Sequence, residues 1–418
     1  MKNHSLKSEK TSKILIFITS SFPYGNGETF IESEINQLSN LFDKVIIVSH
    51  DTLSKEKRNV PKNISIVRER YSLTLFEKII ALKGVFSRKF LNELAIIKST
   101  YNKKVSLGIL KTMILSFYNA QRLQSVYNKF INQYNVENIF FYSYWCNDSA
   151  LSLSLLNKKD RNIKTFSRIH RWDVYFEESK YNYLPYRHLI YENLDAIFSI
   201  SLDGIRYAEV NWKLQDSNKL KLSRLGVNNK FEMEFTDNTI FKLVSCSNLI
   251  PVKRVDLIME SLKVLENVSL EWIVIGDGNL REELEQQVSK LPLSIKVNFL
   301  GRVHNKQIYE LYNELNPQLF INLSSSEGVP VSIMEAMSFG TPVIATNVGG
   351  TSEIVNNDNG YLLDSHTSVE KVAEKITEFY NLSIEEKNIK RKAAFDTWND
   401  KYKANKNYNQ FVEDILSL

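Results

Sequence analysis

Two acids eight residues apart, Glu327 and Glu335, stand in the chain's densest cluster of chemistry-bearing residues. That segment reads Ser324-Ser-Ser-Glu-Gly-Val-Pro-Val-Ser-Ile-Met-Glu-Ala-Met-Ser-Phe-Gly-Thr-Pro342. Pro330 suits a first helical position, where its missing N–H costs nothing. Gly340 suits the left-handed position after a helix, and Pro342 blocks continuation. The spacing therefore predicts a short helix opening directly after a strand end, the place where open parallel sheets bind ligands. Free N–H groups and the helix dipole there favour an anion such as a diphosphate. Glu335, about 7.5 Å along the axis from Pro330 at 1.5 Å per residue, leans back toward that end and can accept hydrogen bonds from hydroxyl groups. Glu327 falls in the turn itself, and Gly328 lets the backbone come close to a ligand. Taken alone, both acids are equally readable as solvated surface carboxylates.

The elements around these acids come in alternation. Lys13–Thr19 is a continuous apolar run ending in the turn-rich stretch Ser20-Ser-Phe-Pro-Tyr-Gly-Asn-Gly27. Helical spacing of Phe30, Ile31, Ile35 and Leu38 follows, then a buried-strand pattern at 45–48. Further strand candidates are 139–142, 164–167 and 196–200. A second alternation runs through strands at 241–245, 270–275, 297–300, 319–322 and 342–345. Helices are expected between them at 255–265, 279–291, 305–315 and 330–339. This is the pattern of parallel α/β layers. With 418 residues, two domains of roughly 200 residues each are the natural division. The exit of the first lies at 223–229, a linker at 231–238 and a boundary at 235/236. A charged helical segment over 384–418 closes the sequence, and its part from 396 is expected to pack back on the first domain.

Composition excludes several classes. A 43% hydrophobic and 24% charged chain can build large cores and need not be disordered. Cys146 and Cys246 are the two cysteines, too few for a disulfide framework, and no Cys/His cluster has zinc spacing. Residues 1–10 lack the apolar core of a signal peptide, and no run of 18 apolar residues exists. These features fit a cytoplasmic location. The net charge of +5 does not by itself imply nucleic acid, and no nucleic-acid module is recognisable.

Over residues 319–355 the resemblance to a known family becomes specific. Ser326-Glu327-Gly328-Val329-Pro330, Glu335-Ala336-Met337-Ser338-Phe339-Gly340-Thr341-Pro342-Val343-Ile344-Ala345 and Gly349-Gly350 resemble the Glu-x7-Glu signature of family-4 (group 1) retaining glycosyltransferases. Val329 replaces the usual aromatic residue. The resemblance implies an α/β GT-B fold, two Rossmann-like doubly wound domains facing across a cleft, with the donor held by the C-terminal domain and the acceptor by the N-terminal one. It implies that Glu327 contacts the donor sugar and Glu335 the ribose. Asn248-Leu-Ile-Pro-Val-Lys-Arg-Val-Asp256 resembles the segment whose Arg and Lys neutralise the donor diphosphate. Lys253 matches the Lys, Asn248 stands where the Arg would be, and Arg254 is a neighbouring cation. Gly276, in Ile275-Gly-Asp-Gly-Asn-Leu280, and Arg302, in Phe299-Leu-Gly-Arg-Val303, match the turns lining the nucleotide. Gly27 and Glu28 correspond to the Gly-rich first loop, and His170 and Asp173 to a His-x-x-Asp segment whose His touches the donor sugar.

The resemblance is clearest over 241–355, extends over 13–40 and 160–228, and is absent over roughly 70–130. It implies a metal-independent hexosyltransferase that moves a sugar, with retention, from a nucleotide-diphosphate sugar to a glycan. The acceptor would be polyprenyl-diphosphate-linked, in capsule, O-antigen or exopolysaccharide biosynthesis. The nucleotide sugar is a substrate, and no separate cofactor is implied. A nucleotide-sugar 2-epimerase and a non-catalytic sugar-nucleotide-binding protein are the alternatives. Between Lys78 and Lys129 ten Lys/Arg accompany a single acid, Glu93, interleaved with Ile79, Ile80, Leu82, Val85, Phe86, Phe90, Leu91, Leu94, Ile96 and Ile97. A basic amphipathic helix of this kind can lie on an anionic membrane at the inner face of the cytoplasmic membrane. A core-packing helix with a basic exposed face is the other reading.

Overall fold

The computed structural model describes residues 13–25, 27, 28, 30–134, 138–158, 162–231 and 240–418. Two compact units are present. One comprises the described residues of 1–200, 204–223 and 410–418, the other 201–203 and those of 224–409. The readings made on residues 1–10 and the proposed 235/236 boundary lie outside the described residues, as does nearly all of the 231–238 linker.

The first unit contains strands β1 (Lys13–Thr19), β2 (Lys44–Ser49), β3 (Ile64–Arg68), β4 (Asn138–Ser143), β5 (Asn162–Ile169), β6 (Ala196–Ser199) and β7 (Leu220–Leu222). They form one sheet in the order β3-β2-β1-β4-β5-β6-β7, and every pairing is parallel. Near-continuous burial of β1, β2, β4 and β6 follows from helices covering both faces. Phe411 and Ile415, on the helix Ala404–Leu416, complete the core on one face with Phe17, Tyr142, Phe166 and Phe198.

The second unit repeats the plan with β8 (Phe241–Cys246), β9 (Leu270–Ile275), β10 (Ile295–Gly301), β11 (Leu319–Asn322), β12 (Val343–Thr346) and β13 (Gly360–Leu363). The order is β10-β9-β8-β11-β12-β13, again parallel throughout. In each sheet the order reverses once, at β1/β4 and at β8/β11, and that is where such folds bind ligands.

The predicted strands all form. The three strands the apolar pattern does not announce, β3, β7 and β13, are all sheet edges. They are short or half-exposed, so they carry few buried side chains to read. The expected terminal helix is two, Ile384–Lys401 and Ala404–Leu416. Between them Val227 N donates to Tyr402 O and Ala404 N to Val227 O, so the chain there makes a bridge instead of a helical turn. A Cβ on Gly226 would lie 2.7 Å from Ala404, which explains the glycine. The 78–129 region is four helical pieces: Leu75–Ile80, Ala81–Phe86, Arg88–Ser99 and Leu107–Gln133. Among the described residues, no helix is long and apolar enough to cross a membrane.

Candidate active site

The second unit gathers its sequence-predicted residues at the carboxyl ends of its strands. Lys253 follows β8 and Glu327 follows β11, so the two flank the reversal in strand order. Lys253 Nζ donates to Glu327 Oε1 at 2.5 Å, and both side chains are mostly buried. Asn322 Nδ2 lies 3.4 Å from the same oxygen. The loops carrying the pair are tied by main chain: Ser325 N donates to Val252 O at 2.8 Å. Gly350 N donates to Gly328 O at 2.7 Å. A Cβ on Gly349, at φ +51°, would stand 2.0 Å from Glu327 O. The paired glycines are therefore needed for the close approach that sets Glu327 in place.

Arg254 differs from its expectation as a second phosphate cation. In a left-handed conformation at φ 46°, it donates from Nε to Leu323 O at 2.6 Å, from Nη1 to Ser365 O at 2.8 Å and from Nη2 to Ser324 O at 3.3 Å. Its guanidinium is spent on carbonyls that follow β11 and β13, so it ties the start of the Glu327 loop to the end of β13. Burial lowers its pKa. Asn248 is exposed beside the same strand end, with no side-chain contact to Lys253 or Glu327 recorded among the described residues.

Glu335 lies on the seven-residue helix Val331–Met337. Pro330 is the residue before that helix, one position earlier than its φ preference suggests, with φ −66° and an extended ψ of 118°. Val329 and Pro330 are buried, and Gly328 is half-exposed. The Glu335 carboxylate is 4% exposed and accepts from Asn305 Nδ2 at 2.9 Å. Burial pushes its pKa up to about 7, with the Asn305 amide opposing the rise. A single polar partner in so dry a place leaves acceptor capacity for a ligand's hydroxyls. Nothing in the sequence pattern singles out Asn305.

Gly276 stands in the turn after β9. At φ 138°, a Cβ there would lie 1.8 Å from Ser247 O, so the turns after β8 and β9 touch backbone to backbone. Ser247 N donates to Ile275 O and Leu249 N to Asp277 O, both at 3.0 Å, and Gly276 N donates to Gly301 O at 2.8 Å. Arg302 is exposed one residue past β10.

Glu28, Trp145, His170 and Asp173 come together in the first unit, at the ends of β1, β4 and β5. Glu28 holds a left-handed φ of 53°. Its carboxylate accepts from the Ser20, Ser21 and Phe22 N–H groups at 3.0, 2.7 and 2.6 Å, and from Trp145 Nε1 at 2.5 Å. Asp173 accepts from His170 N at 2.6 Å and Cys146 N at 2.7 Å. Both carboxylates, which the family resemblance makes candidates for binding an acceptor, have their oxygens engaged by the fold and shape these loops. His170 is the residue they position. It is 7% exposed, its ring lies 4.5 Å from that of Trp145 and 4.7 Å from that of Tyr144, and neither ring nitrogen has a hydrogen-bond partner among the described residues. Gly27 is exposed in the same first loop, and its carbonyl accepts from Arg58.

Known proteins share this arrangement. Residues 228–395 match the family model of glycosyl transferases group 1. The GtfA subunit of a UDP-N-acetylglucosamine–peptide N-acetylglucosaminyltransferase from Streptococcus agalactiae is 29% identical over 140 residues, covering 32% of this chain and 26% of that protein. N-acetyl-alpha-D-glucosaminyl L-malate synthase from Bacillus anthracis is 34% identical over 124 residues, 29% of this chain and 32% of that one. The amylovoran biosynthesis glycosyltransferase AmsK of Erwinia amylovora is 26% identical over 154 residues, 34% and 38% respectively. The matched segments thus span between a quarter and two fifths of these relatives' lengths. Similarity of fold runs through the whole chain. HepE from Anabaena, solved with UDP, superposes with a TM-score of 0.64 at 16% identity, covering 97% of this chain and 100% of that one. Sucrose-phosphate synthase from Thermosynechococcus elongatus gives 0.70 at 13% identity, covering 97% and 98%. Two doubly wound parallel sheets and the likeness to these solved structures give this chain the GT-B fold, and its residues 228–395 are similar to the group 1 glycosyltransferases.

Proposed function

We propose that this protein is a hexosyltransferase that moves a sugar from a nucleoside-diphosphate sugar to a glycan acceptor, with retention at the anomeric carbon and without a metal. The observation that carries the reading is the Lys253–Glu327 pair flanking the β8/β11 reversal, with the buried Glu335 nearby on the following helix. In transfer, the bond between the anomeric carbon and the phosphate oxygen breaks, and the diphosphate leaves with the electron pair. The acceptor oxygen bonds to the same face of the carbon and passes its proton to the leaving phosphate.

Lys253 stabilises the charge that grows on the diphosphate. Glu327 holds donor-sugar hydroxyls, and Glu335 accepts from the ribose. Main-chain groups of Gly328, Val329 and Pro330 line the donor, with Asn248, Gly276 and Arg302 toward the nucleotide. Arg254 keeps the Glu327 loop in place. In this reading the second unit takes the donor and the first the acceptor, with Gly27 and His170 as the first unit's candidates for substrate contact. Solved relatives bound to UDP and UDP-glucose support a nucleoside-diphosphate donor. The amylovoran-biosynthesis relative supports a role in polysaccharide biosynthesis, and a polyprenyl-diphosphate-linked acceptor met at the inner face of the cytoplasmic membrane is part of the same proposal.

Asn248 favours a second reading, a sugar-nucleotide-binding protein without turnover, because it leaves the diphosphate one cation short of the family pattern. A thermal-shift screen against nucleoside diphosphates and nucleotide sugars tests the first step, since a specific binder raises the melting temperature by mass action. Stabilisation by one nucleotide sugar, followed by release of its diphosphate with a glycan acceptor, is the expected result. Stabilisation without release supports the second reading, and no stabilisation by any member refutes both.

A further inference from the structure

The first unit contains a cavity of about 430 Å³ that the sequence resemblance does not reach, because much of its wall comes from residues 71–119. Its other wall is formed by residues 146–151, 172–173 and 184–190. The sheet-derived lining residues follow the carboxyl ends of β3, β4 and β5, the edge of the sheet where this fold class binds ligands. The volume falls within the roughly 300–1,000 Å³ of small-molecule sites.

We infer that this cavity binds a pyranose sugar of the acceptor, clasped between Trp172 at the rim and the buried Arg187 and half-buried Asp148 inside. Three observations carry the assignment. Trp172 is 61% exposed, an unusual position for the largest apolar side chain and a suitable platform for the C–H face of a sugar ring. Arg187 is 5% exposed; its Nε donates to Asp173 O at 3.2 Å and its Nη1 to Pro185 O at 3.3 Å. No hydrogen bond is recorded for its Nη2 among the described residues, so a donor of this cavity-lining side chain is left for a ligand. Asp148 accepts from Ser116 and, at 2.9 Å, from Asn119 Nδ2, which fixes its carboxylate in the wall.

The charge balance decides the ligand class. Asp148 and Asp173 line the cavity together with Arg187 and the exposed Lys78, so an inorganic anion would share it with two acids. A neutral polyol offers both donors and acceptors and suits a wall carrying both signs. The mostly apolar remainder, including Leu115, Leu151 and Ile190, suits the non-polar faces of a sugar ring. Asp173 also joins the cavity to His170, since its carboxylate accepts from both His170 N and Cys146 N.

Calling that sugar the acceptor rests on the transferase reading, whereas the binding itself does not. The test is saturation-transfer NMR on the full chain with methyl hexopyranosides (gluco, galacto, manno and their 2-acetamido forms), using inorganic phosphate and diphosphate as competitors. Wild type is expected to bind at least one glycoside. Thr112→Trp, which fills the cavity, and Trp172→Ala, a rim change that cannot unfold the core, should each weaken it by about fivefold or more. Glycoside binding that both variants leave unchanged overturns the inference, as does an absence of binding or displacement by phosphate. UDP-induced stabilisation, measured on each protein, reports the donor reading separately and should be the same in all of them.

Discussion

Lys253 and Glu327 form an ion pair at 2.5 Å across the point where the order of the second sheet reverses. In the unliganded chain each neutralises the other, so neither charge is left alone in a half-buried place. A diphosphate sugar can take over both partners, its phosphates replacing the carboxylate at Lys253 and its hydroxyls replacing the ammonium at Glu327.

Removing one partner should therefore separate the two halves of the donor. Lys253→Ala is expected to abolish stabilisation by UDP and to lower transfer by on the order of 10²–10³-fold. Glu327→Ala should retain UDP binding but lose the added stabilisation that the sugar gives. Melting curves with UDP and with the matching UDP-sugar, set beside initial rates of transfer, check both. Equal responses of the two variants would remove the assigned division of roles.

Donor affinity should depend on pH through Glu335. Its carboxyl titrates at about 7, and the ionised form is the better acceptor for ribose hydroxyls. About one-tenth remains ionised one unit below that value, so affinity should fall about tenfold from the high-pH plateau to pH 6. Isothermal titration across pH 6–8.5 should show this in wild type and a flat profile in Glu335→Gln, whose overall affinity is lower.

The same burial makes Glu335 costly to the unliganded fold. The folded chain keeps its proton up to about pH 7, whereas the ordinary value is 4.5, so between these values the folded state binds more protons and stability falls as pH rises. Glu335→Gln should stabilise the unliganded protein at pH 8 by up to roughly 3 kcal/mol, and the gain should disappear near pH 4.5. Denaturant titration at the two pH values measures it. A destabilised variant at pH 8 would contradict the assigned cost.

Gly349→Ala should be severe although it alters no charged group. The new Cβ would stand 2.0 Å from Glu327 O on a backbone at φ +51°. Destabilisation on the order of 2–4 kcal/mol is expected, together with loss of donor binding from displacement of Glu327. Asn228→Ala, which removes the side-chain bonds to Asn405 and touches no residue of the Lys253–Glu327 pair, should leave donor binding unchanged.

Membrane contact is a separate matter. Leu75, Phe76, Ile79, Leu82 and Phe86 are more than half exposed, with Lys78 and Lys83 among them, and Glu93 is buried against Tyr183 and Tyr186. Vesicles rich in anionic phospholipid should sediment the protein at low salt, and higher salt should release it. Phe76→Ser with Phe86→Ser should weaken the binding at every salt concentration. Indifference of the wild type to such vesicles ends the membrane reading.

How much the sequence reveals depends on burial. Strands β1, β9 and β11 are readable to the residue because buried apolar side chains fill most of their positions, whereas β3, β7 and β13 lie at edges where that signal fades. Glu327, Glu335 and Lys253 stand in a local motif, and a short segment suffices to find them. The uses of Arg254, Glu28 and Asp173 depend on partners brought from elsewhere by the fold: Ser365, Trp145 and Cys146. A charged residue's type announces that it needs a partner but does not say whether ligand or backbone supplies it. The cavity behind Trp172 was invisible for the same reason, since its walls come from segments more than a hundred residues apart in the chain.

Residues 410–418 belong to the first unit, where Phe411 packs against Tyr142, Phe166 and Phe198 and under the Arg168 guanidinium. On the ribosome this reverses the usual order of completion, in which the domain made first is finished first. The first sheet emerges early but must wait, with one face of its core uncovered, while the entire second unit is made. Chaperone demand during synthesis should therefore come from the half of the protein that is oldest, and a stop codon just before Gln410 would leave the second unit sound and the first permanently unfinished.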